Sequence, residues 1–284
     1  MEIATFSDYL QLFFSIKMNK KITIIGGGNM GKAIAQGLVS SGFSEAHDIT
    51  ITRSPSSNME DLQKMGYNTL CNNNEAVKNA NFIILAVKPY LCKDILAGFA
   101  NQLNPHTQSV ISIAASITLD ELTAITGDYI TVARIIPNTA IELCKSMSCI
   151  STNKPNSENF QTILTMFSGM GTVEVLDDSL MNAATALASC GTAFFLRMIR
   201  AMEEGAVQTG IKPKTAQKIA AQTAYGAAAL LLKATASHTE AEIDKVTTPG
   251  GITIKGLNEM ERNGMSSAII QGLITAYETM QKKK

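Results

Sequence analysis

Residues 21–31 read KITIIGGGNMG, and the rest of the chain takes its meaning from that stretch. Lys21 to Gly26 is a short β-branched run that closes on glycines, the pattern of a buried strand. From Asn29 to Ser41 apolar residues recur at helical spacing (Met30, Ala33, Ile34, Gly37, Leu38), and Gly42 follows as a stop. Gly26-Gly27-Gly28-Asn29-Met30-Gly31 is thus a GxGxxG turn set between a strand and a helix. Gly26 suits a tight turn, Gly28 lets backbone approach a pyrophosphate, and Gly31 lets helix and strand pack closely. The phosphates then meet free N–H groups at the positive end of the helix. In this context the motif predicts dinucleotide binding, against the alternative of a plain tight turn.

The end of the next strand, Asp48 to Thr52, selects the cofactor. An NAD site commonly places an acid about 20 residues beyond the glycines, to hold the ribose hydroxyls. Here the chain reads Thr52-Arg53-Ser54-Pro55-Ser56-Ser57, with no acid until Glu60. The Arg53 guanidinium and the Ser54 hydroxyl suit a 2′-phosphate. NADPH is therefore the expected cofactor, with NADH used less well; a solvated surface arginine is the competing explanation.

Outward from this unit, Phe82–Val87 and Ser109–Ile113 are further strands, and Thr131–Ile136 and Thr172–Leu176 weaker ones. A short helix is expected over Glu60–Met65. Strands alternating with helices imply a parallel sheet covered on both faces. After Asp177 the texture changes to Ala-, Leu- and Met-rich helices over Leu180–Gln208, from Pro213 to about Ala236, Ile254–Arg262 and Ser267–Gln281. The expected class is α/β: an N-terminal Rossmann-like parallel sheet domain followed by an all-α dimerisation domain. The expected divisions are 1–19, an extension outside the fold; 20–177, the NADP-binding domain; and 178–284, a helical dimerisation and substrate domain. Helices this apolar bury a face against another subunit, so a homodimer through them, or a larger ring, is expected.

Composition excludes several partners. With 24 basic and 24 acidic residues the formal charge is zero, which gives no electrostatic reason to expect nucleic acid. Five cysteines, odd in number and without a CxxC pair, argue against a disulfide framework or a zinc site and favour a reducing cytoplasm. Leu10–Ile16 is apolar but far short of the ~20 residues that span a bilayer, and Glu2 and Asp8 stand where a signal peptide carries positive charge. No other stretch reads as a membrane span. Met18 is read as the natural start.

Alcohol oxidation needs a base to take the hydroxyl proton. His47, His106 and His238 are the only histidines; the first two read as surface residues. An imine takes its proton from water before hydride arrives, so a dinucleotide fold without an evident base favours C=N chemistry.

Several segments in order resemble pyrroline-5-carboxylate reductase. Ala86-Val87-Lys88-Pro89 is similar to the family's AVKP element, residues 112–118 (SIAASIT) to its SxAAGIT segment, and residues 134–139 (RIIPNT) to RxMPNT. Residues 248–253 (TPGGIT) resemble the SPGGxT signature that opens a C-terminal helix. The resemblance covers about residues 19–280 and implies reduction of 1-pyrroline-5-carboxylate to L-proline. It places Ala86, Val87, Lys88, Pro89 and Ala114 on the nicotinamide side and Asn73 by the adenosine ribose. It places Thr248, Gly250, Gly251, Ile252 and Thr253 at the substrate, with Lys88 beside it. A Pro-Gly-Gly turn leading into a helix exposes N–H groups for the substrate carboxylate. Thr253 then meets the ring nitrogen as the catalytic contact, helix capping being its alternative role.

The chain departs from the family chiefly in its substrate half. Where the family reads SGSGPAY, residues 188–194 read ASCGTAF; Ala140 replaces a proline; Ala236 stands where an acid precedes the family's HP pair, and Thr239 replaces that pair's proline. Those changes leave open a reductase of another cyclic imine or a silent NADP-binding protein. A β-hydroxyacid-dehydrogenase-like enzyme is a third reading, weakened because residues 191–196 carry no lysine.

Overall fold

Ile22, Ile24 and Ile25 of the first strand, β1 (Ile22–Ile25), are fully buried, each burial stabilising the fold by about 1.5–3 kcal/mol. A strand apolar on both faces belongs inside a sheet covered on both sides. The computed structural model, which describes residues 20–233, Thr235 and 237–282, places it there. The proposed leader 1–19 and the comparison at Ala236 lie outside the described residues.

The remaining strands are β2 (Ile49–Thr52), β3 (Asn68–Leu70), β4 (Phe82–Leu85), β5 (Ser109–Ser112), β6 (Thr131–Ile136), β7 (Ser146–Thr152) and β8 (Gly171–Val175). They form one eight-stranded sheet in the order β3-β2-β1-β4-β5-β6-β7-β8. The first six run parallel, the strand order of two mononucleotide-binding halves. The Rossmann-like domain read from the sequence is present. Two strands extend it in the opposite sense: β7 is antiparallel to β6, and β8 runs parallel to β7. The short connection 137–145 leaves no room for the dozen or more residues that a parallel crossover needs.

Helices cover both faces. On one, α1 (Asn29–Ser40) contributes Ala33, Ile34 and Leu38 to a core that it shares with Phe160, Ile163 and Phe167 of Glu158–Gly169. On the other, Pro89–Ala97 and Leu119–Thr126 bury Cys92, Leu96 and Leu122 against Ile25, Ile83 and Val110. Between β1 and its neighbours the winding reverses direction. The crevice outside the carboxyl ends of β1 and β4 is where such sheets bind ligands.

By contacts the chain divides into two compact units, one running through Ser189 and again from Thr279, the other Cys190–Glu278. The break falls later than the change of texture after Asp177, because the turn 178–180 and helix Met181–Ala184 stay with the sheet. A π-helical segment, Thr185–Cys190, follows. The helices of the second unit are Gly191–Gln208, Pro213–Leu231, Thr239–Asp244, Ile252–Arg262 and the greater part of Met265–Gln281. Thr239–Asp244 was not foreseen. Their apolar side chains stand open in the single chain: Phe195 and Leu196 are each 61% exposed. The continuous helical stretch Asp178–Gln208 is long and apolar enough, by length and composition alone, to cross a membrane. This departs from the sequence reading. Small apolar residues that let helices approach one another raise hydropathy in the same way that a span does.

Candidate cofactor and substrate sites

The glycine turn sits at the carboxyl end of β1. Gly26 and Gly27 both donate their N–H to the Thr52 carbonyl, at 3.1 and 2.9 Å, so the end of β2 pins the turn. Gly26 has φ +108°, and a Cβ on it would lie 2.4 Å from the Ala86 carbonyl oxygen at the end of β4. A Cβ on Gly31 would lie 2.0 Å from the Gly26 oxygen, which ties the helix down onto the turn. Gly28 differs. It is exposed, nothing stands within 4 Å of where its Cβ would be, and no side chain caps the helix it begins. Asn29 and Met30 form the first turn above it. The result is a bare backbone cradle at the positive end of a twelve-residue helix, which fits a diphosphate.

Arg53 is not the free cation that the sequence suggests. Its Nε donates to the Gly27 carbonyl at 2.8 Å, and its Nη1 and Nη2 grip the two carboxylate oxygens of Asp61 at 2.8 and 3.1 Å. Nη1 also donates to the Asn58 carbonyl, and Lys32 from α1 pairs with the same Asp61. Hydrogen bonds from Arg53 and then Lys32 hold the Asp61 carboxyl far below the usual carboxylate range. Four of the five guanidinium N–H groups are thereby engaged. Ser54, exposed beside it, shares a 2.8 Å hydrogen bond with Ser56. Asp61 and Lys32 were absent from the sequence reading. Asp61 lies one residue past Glu60, at the start of helix Glu60–Lys64, and the turn of that helix brings it back to Arg53.

Asn73 begins the short helix Asn73–Ala76 just past β3, with Asn72 capping it by accepting from the Glu75 N–H at 3.3 Å. Ala86 and Val87 follow β4, and Lys88, exposed, is the N-cap of a helix with Pro89 in its first turn. Ala114 is buried behind β5, its N–H directed at the Ser112 hydroxyl at 3.3 Å. A cleft of about 930 Å3 opens against Pro89, Tyr90, Ser116, Ile117 and Thr118. The sheet therefore brings Gly26, Gly28, Ala86–Pro89 and Ala114 to one edge, with Arg53, Ser54 and Asn73 further along it toward β3.

The residues that the resemblance assigns to the substrate, 248–253, belong to the other unit. Gly251 donates its N–H to the Thr248 carbonyl at 2.9 Å, closing a turn in which Gly250 has φ +70°. Gly251 is the N-cap of Ile252–Arg262, so Thr253 occupies the first turn and is not its cap. Thr253 is exposed and Ile252 is 88% exposed. Among the described residues no group of three His, Cys, Asp or Glu side chains could hold a metal, and all five cysteines are free.

Comparison with known proteins bears on both halves. Residues 21–116 match the family described as NADP oxidoreductase coenzyme F420-dependent, and residues 178–283 match pyrroline-5-carboxylate reductase dimerisation. The chain is 36% identical to pyrroline-5-carboxylate reductase 2 of Dictyostelium discoideum, covering 95% of each protein. The chain belongs to the pyrroline-5-carboxylate reductases. It is 38% identical over 90% of its length to pyrroline-5-carboxylate reductase 1 of the same organism, of which it spans 48%. The crystal structure of the 1-pyrroline-5-carboxylate reductase from Streptococcus pyogenes superposes with a TM-score of 0.81 at 26% identity, covering 93% of this chain and 99% of that one. Membership in the reductase family makes the chain an NADP-dependent oxidoreductase, and its dimerisation region makes it a homo-oligomer.

Proposed function

We propose that the chain reduces 1-pyrroline-5-carboxylate to L-proline with NADPH, the last step of proline synthesis, in the cytoplasm. The observation that carries the reading is the open cradle at Gly28, uncapped and unobstructed at the point where the sheet reverses its winding. Bound there, the cofactor supplies a hydride through its nicotinamide. Gly28, Asn29, Met30 and Gly31 would hold the diphosphate by backbone N–H groups, while Gly26, whose own N–H is bonded to Thr52, shapes the turn beneath it. Arg53 and Ser54 would meet the 2′-phosphate, and Asn73 the adenosine ribose. Ala86, Val87, Pro89 and Ala114 would offer small and apolar surface to the nicotinamide, with Lys88 exposed among them.

The turn 248–251 and the helix after it bind the substrate carboxylate with unpaired N–H groups at a positive helix end. Thr253, exposed in that first turn, donates or accepts at the ring nitrogen while the neighbouring C5 receives the hydride; the nitrogen's proton comes from water. The 178–283 helices pair two copies of the chain, and a ring of such dimers is compatible with the same surface.

Loss of NADPH absorbance on adding pyrroline-5-carboxylate tests the activity. Replacing Thr253 with Ala lowers kcat/KM for the imine roughly tenfold, the worth of about one hydrogen bond, and leaves NADPH affinity within about twofold. Unchanged turnover removes Thr253 from the site. The altered stretch 188–194 supports a second reading, a protein that binds NADPH tightly without reducing any imine. Turnover excludes it. Light scattering at micromolar concentration reports the oligomer, and a monomer contradicts the pairing.

A further inference from the structure

Arg134 heads the largest fully buried side chains in the fold. It rises from β6 inside the sheet-bearing unit, where a buried cation needs an explanation. Its Nη1 donates to Asp178 Oδ1 at 3.0 Å. Its Nη2 donates to the Ala115 carbonyl at 2.5 Å and to Asn182 Oδ1 at 3.0 Å. Asp178 in turn accepts from the Ser151 hydroxyl at 2.9 Å and, through its other oxygen, from the Leu119 N–H at 3.1 Å. Two charged side chains therefore hold both ends of one segment, residues 115–119, which runs from Ala114 to the first residue of helix Leu119–Thr126. A polar cleft of about 760 Å3 opens beside them, lined by Thr118, Arg134, Ser151, Asp178 and Asn182.

Arg134 Nε is buried and makes no hydrogen bond among the described residues, as is also true of Ser109 Oγ and Thr123 Oγ1. The guanidinium is aimed at the Ala115 carbonyl and the Asp178 carboxylate with its third edge left over, so the geometry of the clamp, and not the lone donor, carries the inference.

We propose that Arg134 and Asp178 are positioning residues for hydride transfer. Resting on the reading that the nicotinamide lies against Ala114, the pair holds the 114–119 segment in one place and so fixes the ring's height and tilt against the sheet. Neither side chain touches the reacting atoms. All three groups that face Asp178 are donors, from Arg134, Ser151 and Leu119, so an amide in its place must turn its NH2 toward one of them. Asp178→Asn is thus a near-isosteric change that breaks the clamp on one side.

The experiment compares wild type with Asp178→Asn and with Phe167→Leu, a core substitution on the opposite face of the sheet that serves as a control for general loss of stability. Without any cofactor, hydrogen exchange at the Leu119 amide is expected to quicken at least tenfold in Asp178→Asn only. Affinity for 2′,5′-ADP, which has no nicotinamide, is expected to stay within about twofold. With NADPH and imine, kcat falls on the order of tenfold to a hundredfold, as small misplacements of reacting groups do. The deuterium isotope effect from 4-deuterated NADPH on kcat rises, because the hydride step becomes limiting. The proposal is overturned if Leu119 exchange is unchanged in Asp178→Asn, or if its isotope effect and kcat move no further than those of Phe167→Leu at matched thermal stability. Failure of wild type to turn over any imine would instead overturn the functional reading, and the exchange measurement stands apart from that outcome.

Discussion

Two regions of the sheet-bearing unit each carry an arginine held by an aspartate, and the two pairs are built in opposite ways. Beyond the end of β2, Arg53, Asp61 and Lys32 meet near the surface, with side chains 15%, 42% and 35% exposed. On β6 Arg134 is 2% exposed, and its partner Asp178 25%. Water screens the first set, so its members can exchange one partner for another at little cost. The second pair sits where losing a partner leaves a charge with much less solvent to replace it. On the proposed reading the first set would have to admit and release a phosphate, whereas the second would have to stay in place. The same two residue types serve both needs because burial sets how firmly they hold.

The largest effect that tests this contrast is on stability. Arg134→Met keeps the aliphatic stem but strands Asp178, and it is expected to cost toward the lower end of ~3–5 kcal/mol, because Asp178 keeps some solvent. Arg53→Met is expected to fall within the range of ordinary surface substitutions. Urea unfolding of both variants measures the difference, and equal losses would erase the distinction. The next effect is on recognition. Arg53→Ala is expected to weaken NADPH roughly tenfold and NADH by less than about threefold, a difference near 1.4 kcal/mol. Equal weakening of both cofactors would free Arg53 from any dealing with the 2′-phosphate.

Sequence and structure diverge at these same places. The glycine turn was legible because its spacing between a strand and a helix is visible in the sequence, and Gly26 and Gly31 answer local steric demands there. Arg53 was legible as a residue but not as a partner: a count of acids along the chain stopped at Glu60, and only a helical turn shows that Asp61 faces back. Arg134 was visible as a letter in a resembling motif, yet nothing in the strand TVARII says that its cation is buried or that it reaches residues 115, 178 and 182. Strand β7, SMSCIST, escaped hydropathy altogether. Its buried serines satisfy one another and their neighbours, as Ser148 does with Ser146 at 3.2 Å and Ser151 with Asp178. Tertiary hydrogen bonds of this kind leave no trace in periodicity. The 248–253 turn was singled out by resemblance, and its exposed helix N-terminus by the Pro-Gly-Gly stretch before it.

Asp61 gives the smallest and most discriminating test. Its carboxylate sits where a 2′-phosphate would compete for Arg53 and Lys32, so Asp61→Asn is expected to raise the preference for NADPH over NADH by about threefold to tenfold, equivalent to ~0.7–1.4 kcal/mol. Isothermal titration with each cofactor measures the ratio, and a fall would mean that Asp61 orients Arg53 for the phosphate instead of competing with it. The pH dependence separates these roles further. Because Arg53 and Lys32 depress the carboxyl in the folded chain, its contribution to stability is full above the unfolded value of about 3.9 and fades only as pH falls below that. The stability gap between wild type and Asp61→Asn should therefore stay level from pH 5 to 8 and close in more acid solution. A gap that instead changed between pH 5 and 8 would mean that Asp61 titrates there, and that the two cations do not hold it ionised.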